Sequence, residues 1–207
     1  MSLASYQHVY HPPTEHGLPT ILVLHGTGGD ENDLLPLARH IAPGCGLLSP
    51  RGNVSERGMP RFFRRFAEGV FDLADVQLRA AELSAFVRSA ATDYGFAANN
   101  IYALGYSNGA NIANAVLLTQ PTTLRGGMLL RSQLTFVPEV LPSLAGKAVL
   151  LSSATHDQLI SQAESTQLYN TLQTAGAQVS IAWQDATHAL IKSDIEMAAS
   201  WWNALVA

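Results

Sequence analysis

The chain has 207 residues, of which 47% are hydrophobic and 14% charged, and its formal net charge is −4. That length buries a sizeable core in one domain, residues 1–207, without disulfides or a metal, and the composition excludes disorder. The acidic balance offers no basic field to a nucleic-acid backbone, and the single cysteine, Cys45, excludes an internal disulfide and fits a reducing, cytoplasmic compartment.

In chain order, the first ten residues lack the basic stretch and apolar run of an export signal, and no later segment reaches the roughly 18 consecutive apolar residues of a membrane helix. Residues from Tyr6 to Tyr10 read as an edge strand. Short apolar runs follow at Thr20–Leu24 and Gly46–Ser49, continuous enough to be buried on both faces of a parallel sheet. A long segment, Pro50 to Phe71, carries no clear period. Val76, Ala80, Leu83, Val87, Ala90 and Tyr94 then recur at spacings of three and four, the stripe of a core-facing helix, and Gly95 stops it. Further strands are expected at Asn100–Leu104, Gly127–Leu130, Lys147–Ser152 and Gln178–Trp183, with helices at Asn108–Leu118, Ser161–Ala175 and Ser193–Leu205. The alternation predicts an α/β fold: an open, mostly parallel sheet with helices on both faces, whose ligands bind outside the carboxyl ends of the strands. Apart from Pro50–Phe71 the connections are short, which predicts no large lid and an open site bordered by that segment.

Chemistry is therefore sought in loops that follow strands. After Leu104 comes Gly105-Tyr106-Ser107-Asn108-Gly109, a strand, a sharp turn and a helix start. A nucleophilic serine needs that context: a strained turn lifts its hydroxyl above the sheet, and small residues two places either side let the chains pass closely. The alternative is a glycine-rich turn with a serine helix cap. A serine hydroxyl needs a base. Of seven histidines, His188 lies between the last strand and the last helix, where the base follows in the order serine, acid, histidine, whereas His8, His11, His16 and His40 read as surface residues. Asp157, in the loop after Lys147–Ser152, is the favoured acid for orienting the imidazole, with Asp185 the alternative.

Charge developing on a tetrahedral intermediate calls for backbone donors, expected from Asn108 and from Thr27 in His25-Gly26-Thr27-Gly28-Gly29. A phosphate-binding loop is the rival reading of those glycines, but neither a Walker lysine nor a G-x-G-x-x-G frame accompanies them. Arg51, Arg57, Arg61, Arg64 and Arg65 gather in the long segment; Arg61 and Arg64 are the candidate clamps for an anionic substrate group. The weightier alternative pairs these arginines with Glu56, Glu68 and Asp72, while Phe62, Phe63 and Phe66 anchor the segment to the core. Cys45 precedes a strand and reads as a buried apolar residue. No metal-ligand spacing is present, so neither metal nor cofactor is expected.

Taken together, His25 to Leu34, Gly105 to Gly109 and Thr155-His156-Asp157 resemble the phospholipase/carboxylesterase family, which includes acyl-protein thioesterases. Ser49-Pro50-Arg51-Gly52-Asn53 and Arg61 to Arg65 resemble its bacterial subgroup of hydrolases linked to quinone response. The resemblance covers nearly the whole chain. It implies a single-domain α/β-hydrolase fold, a triad of Ser107, Asp157 and His188, and oxyanion amides at Thr27 and Asn108. The subgroup's proline after the acid is absent from Asp157–Ser161, and the glycine before the histidine is Thr187. The expected activity is hydrolysis of a small or medium carboxylic ester through an acyl-enzyme. Thioester, lysophospholipid and lactone hydrolysis on the same residues, or a non-catalytic binding protein, are the alternatives. The expected partner is a small-molecule ester, and a homodimer is left open.

Overall fold

A computed structural model describes residues 5–207; residues 1–4 of the expected domain lie outside the described part. The chain forms β1 (His8–His11), β2 (Thr20–Leu24), α1 (Leu35–Ile41), β3 (Gly46–Pro50), β4 (Val54–Glu56), β5 (Met59–Arg61), β6 (Arg65–Ala67) and β7 (Val70–Phe71). There follow α2 (Leu73–Tyr94), β8 (Ile101–Tyr106), α3 (Asn108–Thr119), β9 (Gly126–Leu130), β10 (Ala148–Ala154), α4 (Gln162–Thr174), β11 (Gln178–Gln184) and α5 (Lys192–Val206). Seven strands make one sheet in the order β1-β3-β2-β8-β9-β10-β11, with β1 antiparallel to β3 and every other pair parallel.

Strand side chains alternate between two cores, as the period of two requires. Leu22, Leu24, Ala103, Leu129 and Leu151 face α2, α3 and α4, whereas Ile21, Val23, Leu104, Met128, Leu130 and Leu150 face α1 and α5. Both faces are covered, which is why the central strands are apolar throughout. Trp202 of α5, 2% exposed, meets Tyr102 edge to face at 5.1 Å. Burial of a large side chain of this kind contributes roughly 1.5–3 kcal/mol. Asp72 caps α2 by accepting the Asp75 N–H at 3.2 Å, and Gly95 ends it in the left-handed conformation at φ 75°. Helix α3 is buried from Asn108 to Leu118, and its side chains are correspondingly apolar or small apart from three asparagines.

Three expectations are corrected. Tyr94 leaves the core stripe of α2, is 39% exposed, and stacks on Tyr10 of the edge strand β1 at 4.3 Å. Helix α1 was not expected: it is seven residues long with Pro36 in its first turn, too short to show a period. The Pro50–Phe71 segment, for which no elements were expected, borders the site as two antiparallel hairpins, β4–β5 and β6–β7, turning at Arg57 (φ 52°) with Gly58 and at Gly69.

Candidate active site

The turn after β8 holds Ser107 at φ 52° and ψ −116°, a left-handed conformation that costs a non-glycine residue about 1–3 kcal/mol. The Ser107 N–H donates to Leu130 O at 2.9 Å, and Asn111 N donates to Ser107 O at 2.9 Å as α3 begins. The close approach explains the flanking glycines. A Cβ on Gly109 would stand 2.0 Å from Leu24 O, and one on Gly105 would stand 2.7 Å from Ala110 Cα.

Strands β10 and β11 bring two more groups to the same edge. The Ser107 hydroxyl lies 2.9 Å from His188 Nε2, and His188 Nδ1 lies 2.8 Å from Asp157 Oδ2. A carboxylate only accepts, so Nδ1 carries the proton and Nε2 is left to accept from the serine. The other oxygen, Asp157 Oδ1, accepts the Leu159 and Ile160 amides at 2.8 and 3.1 Å, closing the loop that lacks proline. The Asp157 carboxyl is buried at 2% exposure, whereas Asp185 is 92% exposed and pairs with His156 at 2.9 Å.

The loop after β2 is tied down by its first residue. His25 is buried; its Nε2 accepts the Gly52 N–H at 2.9 Å and its Nδ1 donates to Gly26 O at 2.6 Å. Burial lowers its pKa, which keeps the ring neutral and able to accept. Thr27 Oγ1 accepts from Arg61 Nη1 at 2.6 Å, and Gly28 N donates to Pro60 O at 3.0 Å, so the first hairpin grips this loop. Asn108, the first residue of α3, accepts the Phe62 N–H on its side-chain oxygen at 2.8 Å. That fixes the amide orientation and leaves Asn108 Nδ2 buried without a protein partner.

Thr27, Arg61, Arg65, Ser107, Asn108 and His188 line one cleft, closed further by Glu68, Phe71, Asn111, Gln133, Leu159 and Ile160. It encloses about 20 Å³, room for roughly one water. The site is therefore narrow rather than open, because the second hairpin leans over Ser107. A wider groove of about 540 Å³ along α4 is lined by Val137, Leu141 and amide, hydroxyl and methyl side chains, without an acid, base or nucleophile. Among the described residues no group of three or more His, Cys, Asp or Glu is placed to hold a metal ion.

The two arginines expected to clamp substrate separate. Arg61 is buried in the cleft, where burial and the neighbouring Arg65 lower its pKa; it pairs with Glu56 at 3.1 Å. Arg64 does not line the cleft: it is 63% exposed and pairs with Asp72 at 3.0 Å and Asp75 at 3.7 Å, across the start of α2. Arg65 takes its place, paired with Glu56 and Glu68. Phe62 and Phe63 are fully buried, but Phe66 is 75% exposed, so only two of the three phenylalanines anchor the segment. Burial pushes the Cys45 thiol up to about 11.

Sequence reasoning missed Arg131. It follows β9 directly and is fully buried, and so is its partner Asp194. A charged residue directly ending an apolar strand at that edge is the signal the sequence carries for it.

The Phospholipase/Carboxylesterase family model matches residues 6–205. The chain belongs to that family. It is 41% identical over 197 residues to "Putative hydrolase MhqD" of Bacillus subtilis (strain 168), covering 95% of this chain and 98% of that one. The crystal structure of the Bacillus cereus carboxylesterase superposes with a TM-score of 0.95 at 43% identity, covering 97% of this chain and 95% of that one. A carboxylesterase from Mesorhizobium loti gives 0.88 at 28% identity, over 96% and 95%. The fold is thus a one-domain α/β-hydrolase, and the chain is a hydrolase of this family.

Proposed function

We propose that the chain is a serine esterase that cleaves small carboxylic esters through an acyl-enzyme, with Ser107 as nucleophile, His188 as base and Asp157 as the orienting acid. The observation that carries this reading is the continuous hydrogen-bonded chain from Ser107 through His188 to Asp157, starting at a serine held at φ 52°. In this mechanism His188 Nε2 takes the hydroxyl proton as Ser107 Oγ attacks the ester carbonyl. Asp157 stabilises the imidazolium, which then protonates the leaving alcohol. Water repeats the sequence on the acyl-enzyme.

The amides of Thr27 and Asn108 are assigned to the oxyanion; Asn108 opens α3, where the first N–H groups have no intrahelical acceptor. Arg61 is the arginine assigned to the substrate side, and through Thr27 Oγ1 it also positions that amide. The largely polar lining of the cleft supports a short acyl group over a long lipid chain. A small-molecule substrate, rather than nucleic acid, suits a chain of net charge −4. No helix among the described residues is long and apolar enough to cross a membrane, and with its one buried cysteine the chain suits the cytoplasm.

A fluorophosphonate probe tests the reading: it should label the wild type and leave Ser107→Ala unmarked. A panel of short esters, thioesters and lactones then ranks the substrates. Equal labelling of folded Ser107→Ala, or no turnover of any panel member by labelled wild type, would overturn the assignment.

A further inference from the structure

The loop that carries His188 is held largely by residues distant in sequence. Neither a glycine nor a proline occurs between Asp185 and Ile191, and Thr187 and Ala189 flank the histidine. What holds it comes from elsewhere in the chain. Arg131 Nε donates to Thr187 O at 3.2 Å and Arg131 Nη2 to Ala189 O at 3.1 Å, while the Tyr106 hydroxyl donates to His188 O at 3.1 Å. Three consecutive carbonyls, centred on the histidine, are taken by donors from two strand ends: the outer two by Arg131 after β9, the central one by Tyr106 at the end of β8.

Arg131 is itself fixed with unusual completeness. Its Nη1 and Nη2 lie 2.7 and 2.8 Å from the two carboxylate oxygens of Asp194, and Nη1 also lies 3.2 Å from Ser152 O. Ser152 Oγ donates to Asp194 Oδ1 at 2.5 Å, and Asp194 Oδ2 accepts the Ile191 N–H at 2.8 Å, closing the start of α5. Arg131 sits at φ 54° with both charged side chains fully buried. A buried ion pair is a poor way to gain stability, since well-packed apolar residues often serve as well. A guanidinium fork does something apolar residues cannot: it grips two carbonyls and a carboxylate in one rigid plane.

We propose that Arg131, oriented by Asp194 and assisted by Tyr106, is a positioning residue that sets the His188 ring at hydrogen-bonding distance from Ser107. This rests on the reading of His188 as the base. Arg131 touches neither substrate nor the reacting atoms; it acts through the backbone on either side of the histidine. The strained turn at Ser107 fixes one end of the proton-transfer distance, and the Arg131 fork fixes the other.

Two variants test it, each measured for kcat, KM, fluorophosphonate labelling rate, melting temperature and the downfield proton signal of His188 Nδ1. Arg131→Lys keeps the charge beside Asp194 but has three donors where arginine has five. It should lower kcat and labelling rate by about 10- to 100-fold, with KM within about twofold and the proton signal broadened or lost, because small misplacements of a catalytic group cost that much. Tyr106→Phe leaves the ion pair intact and should lower kcat by a few fold in the same pattern. Wild-type kcat and an intact proton signal in folded Arg131→Lys, whatever its melting temperature, would overturn the proposal. If that protein does not fold, wild-type kcat and signal in Tyr106→Phe would do so. Ser107→Ala run alongside keeps the two ideas apart: turnover surviving there sinks the serine mechanism, whereas an inactive Ser107→Ala with both other variants at full rate sinks only the clamp.

Discussion

Two loops at the carboxyl edge of the sheet hold the side chains proposed as nucleophile and base by opposite means. The elbow from Gly105 to Gly109 is rigid from within: its serine is strained, and Gly109 lets α3 start against Leu24 O, where a Cβ would stand 2.0 Å away. The loop around His188 is rigid from without, through Arg131, Tyr106 and Asp157, which lie 31 to 82 residues away in sequence. A nucleophile held by local strain tolerates almost no change in its immediate neighbours. A base held by distant donors tolerates local change but depends on residues that no local pattern marks.

The largest effect expected from breaking either side is at Ser107. Ser107→Ala should lower kcat by about four to six orders of magnitude with the fold intact, read in steady-state ester hydrolysis. On the histidine side, Asp157→Asn should cost about 10⁴-fold in kcat, because an amide favours the wrong imidazole tautomer. Asp185→Asn should stay near wild type, and equal losses in the two would show that the carboxylates share the role.

Next comes stability of the elbow. Gly109→Ala should destabilise the protein by about 3 kcal/mol or more, since backbone rather than a flexible side chain would have to yield. Urea unfolding reads this directly, and a loss under about 1 kcal/mol would show that the elbow is looser than its contacts imply.

The loop beneath the elbow gives a smaller, pH-dependent effect. Burial lowers the His25 pKa in the folded state, opposed by the Gly26 carbonyl, Asp33 and Asp30 and reinforced by Arg51. The neutral ring accepts the Gly52 N–H and the cation cannot. A depressed folded pKa means that this contribution is complete above the unfolded value of about 6.5 and is lost as pH falls through the folded value. His25→Phe should therefore be less stable than wild type by about 1–2 kcal/mol near neutrality, with the gap narrowing in acid. Thermal unfolding at several pH values measures it, and parallel curves would remove His25 from the account.

The smallest effect is expected at Arg64. Its side chain is 63% exposed and paired with Asp72 and Asp75, so Arg64→Ala should change stability by about 0.5 kcal/mol or less and leave KM unchanged for neutral and anionic esters alike. Arg61→Ala, which frees Thr27, should by contrast lower kcat. A KM rise for anionic esters alone in Arg64→Ala would restore it as a clamp.

Much of this protein was legible from the residues in order. Apolar runs placed the main strands to within two residues, because a sheet covered on both faces demands continuous apolar sequence, and Gly105-x-Ser107-x-Gly109 marked the elbow because its constraints are local. Position after a strand singled out His188 and favoured Asp157 over Asp185, and the structure brings the first two to within hydrogen-bonding distance of each other. Other features were decided only in three dimensions. Which arginine faces the cleft depended on how two hairpins with strands of two or three residues fold near Ser107, where neither period nor propensity is informative at that length. The narrowness of the cleft followed from the same fold. Arg131 and Asp194, 63 residues apart, carry no shared motif; they meet because β9 ends and α5 begins at the same edge, and burial away from solvent makes each the counter-charge of the other.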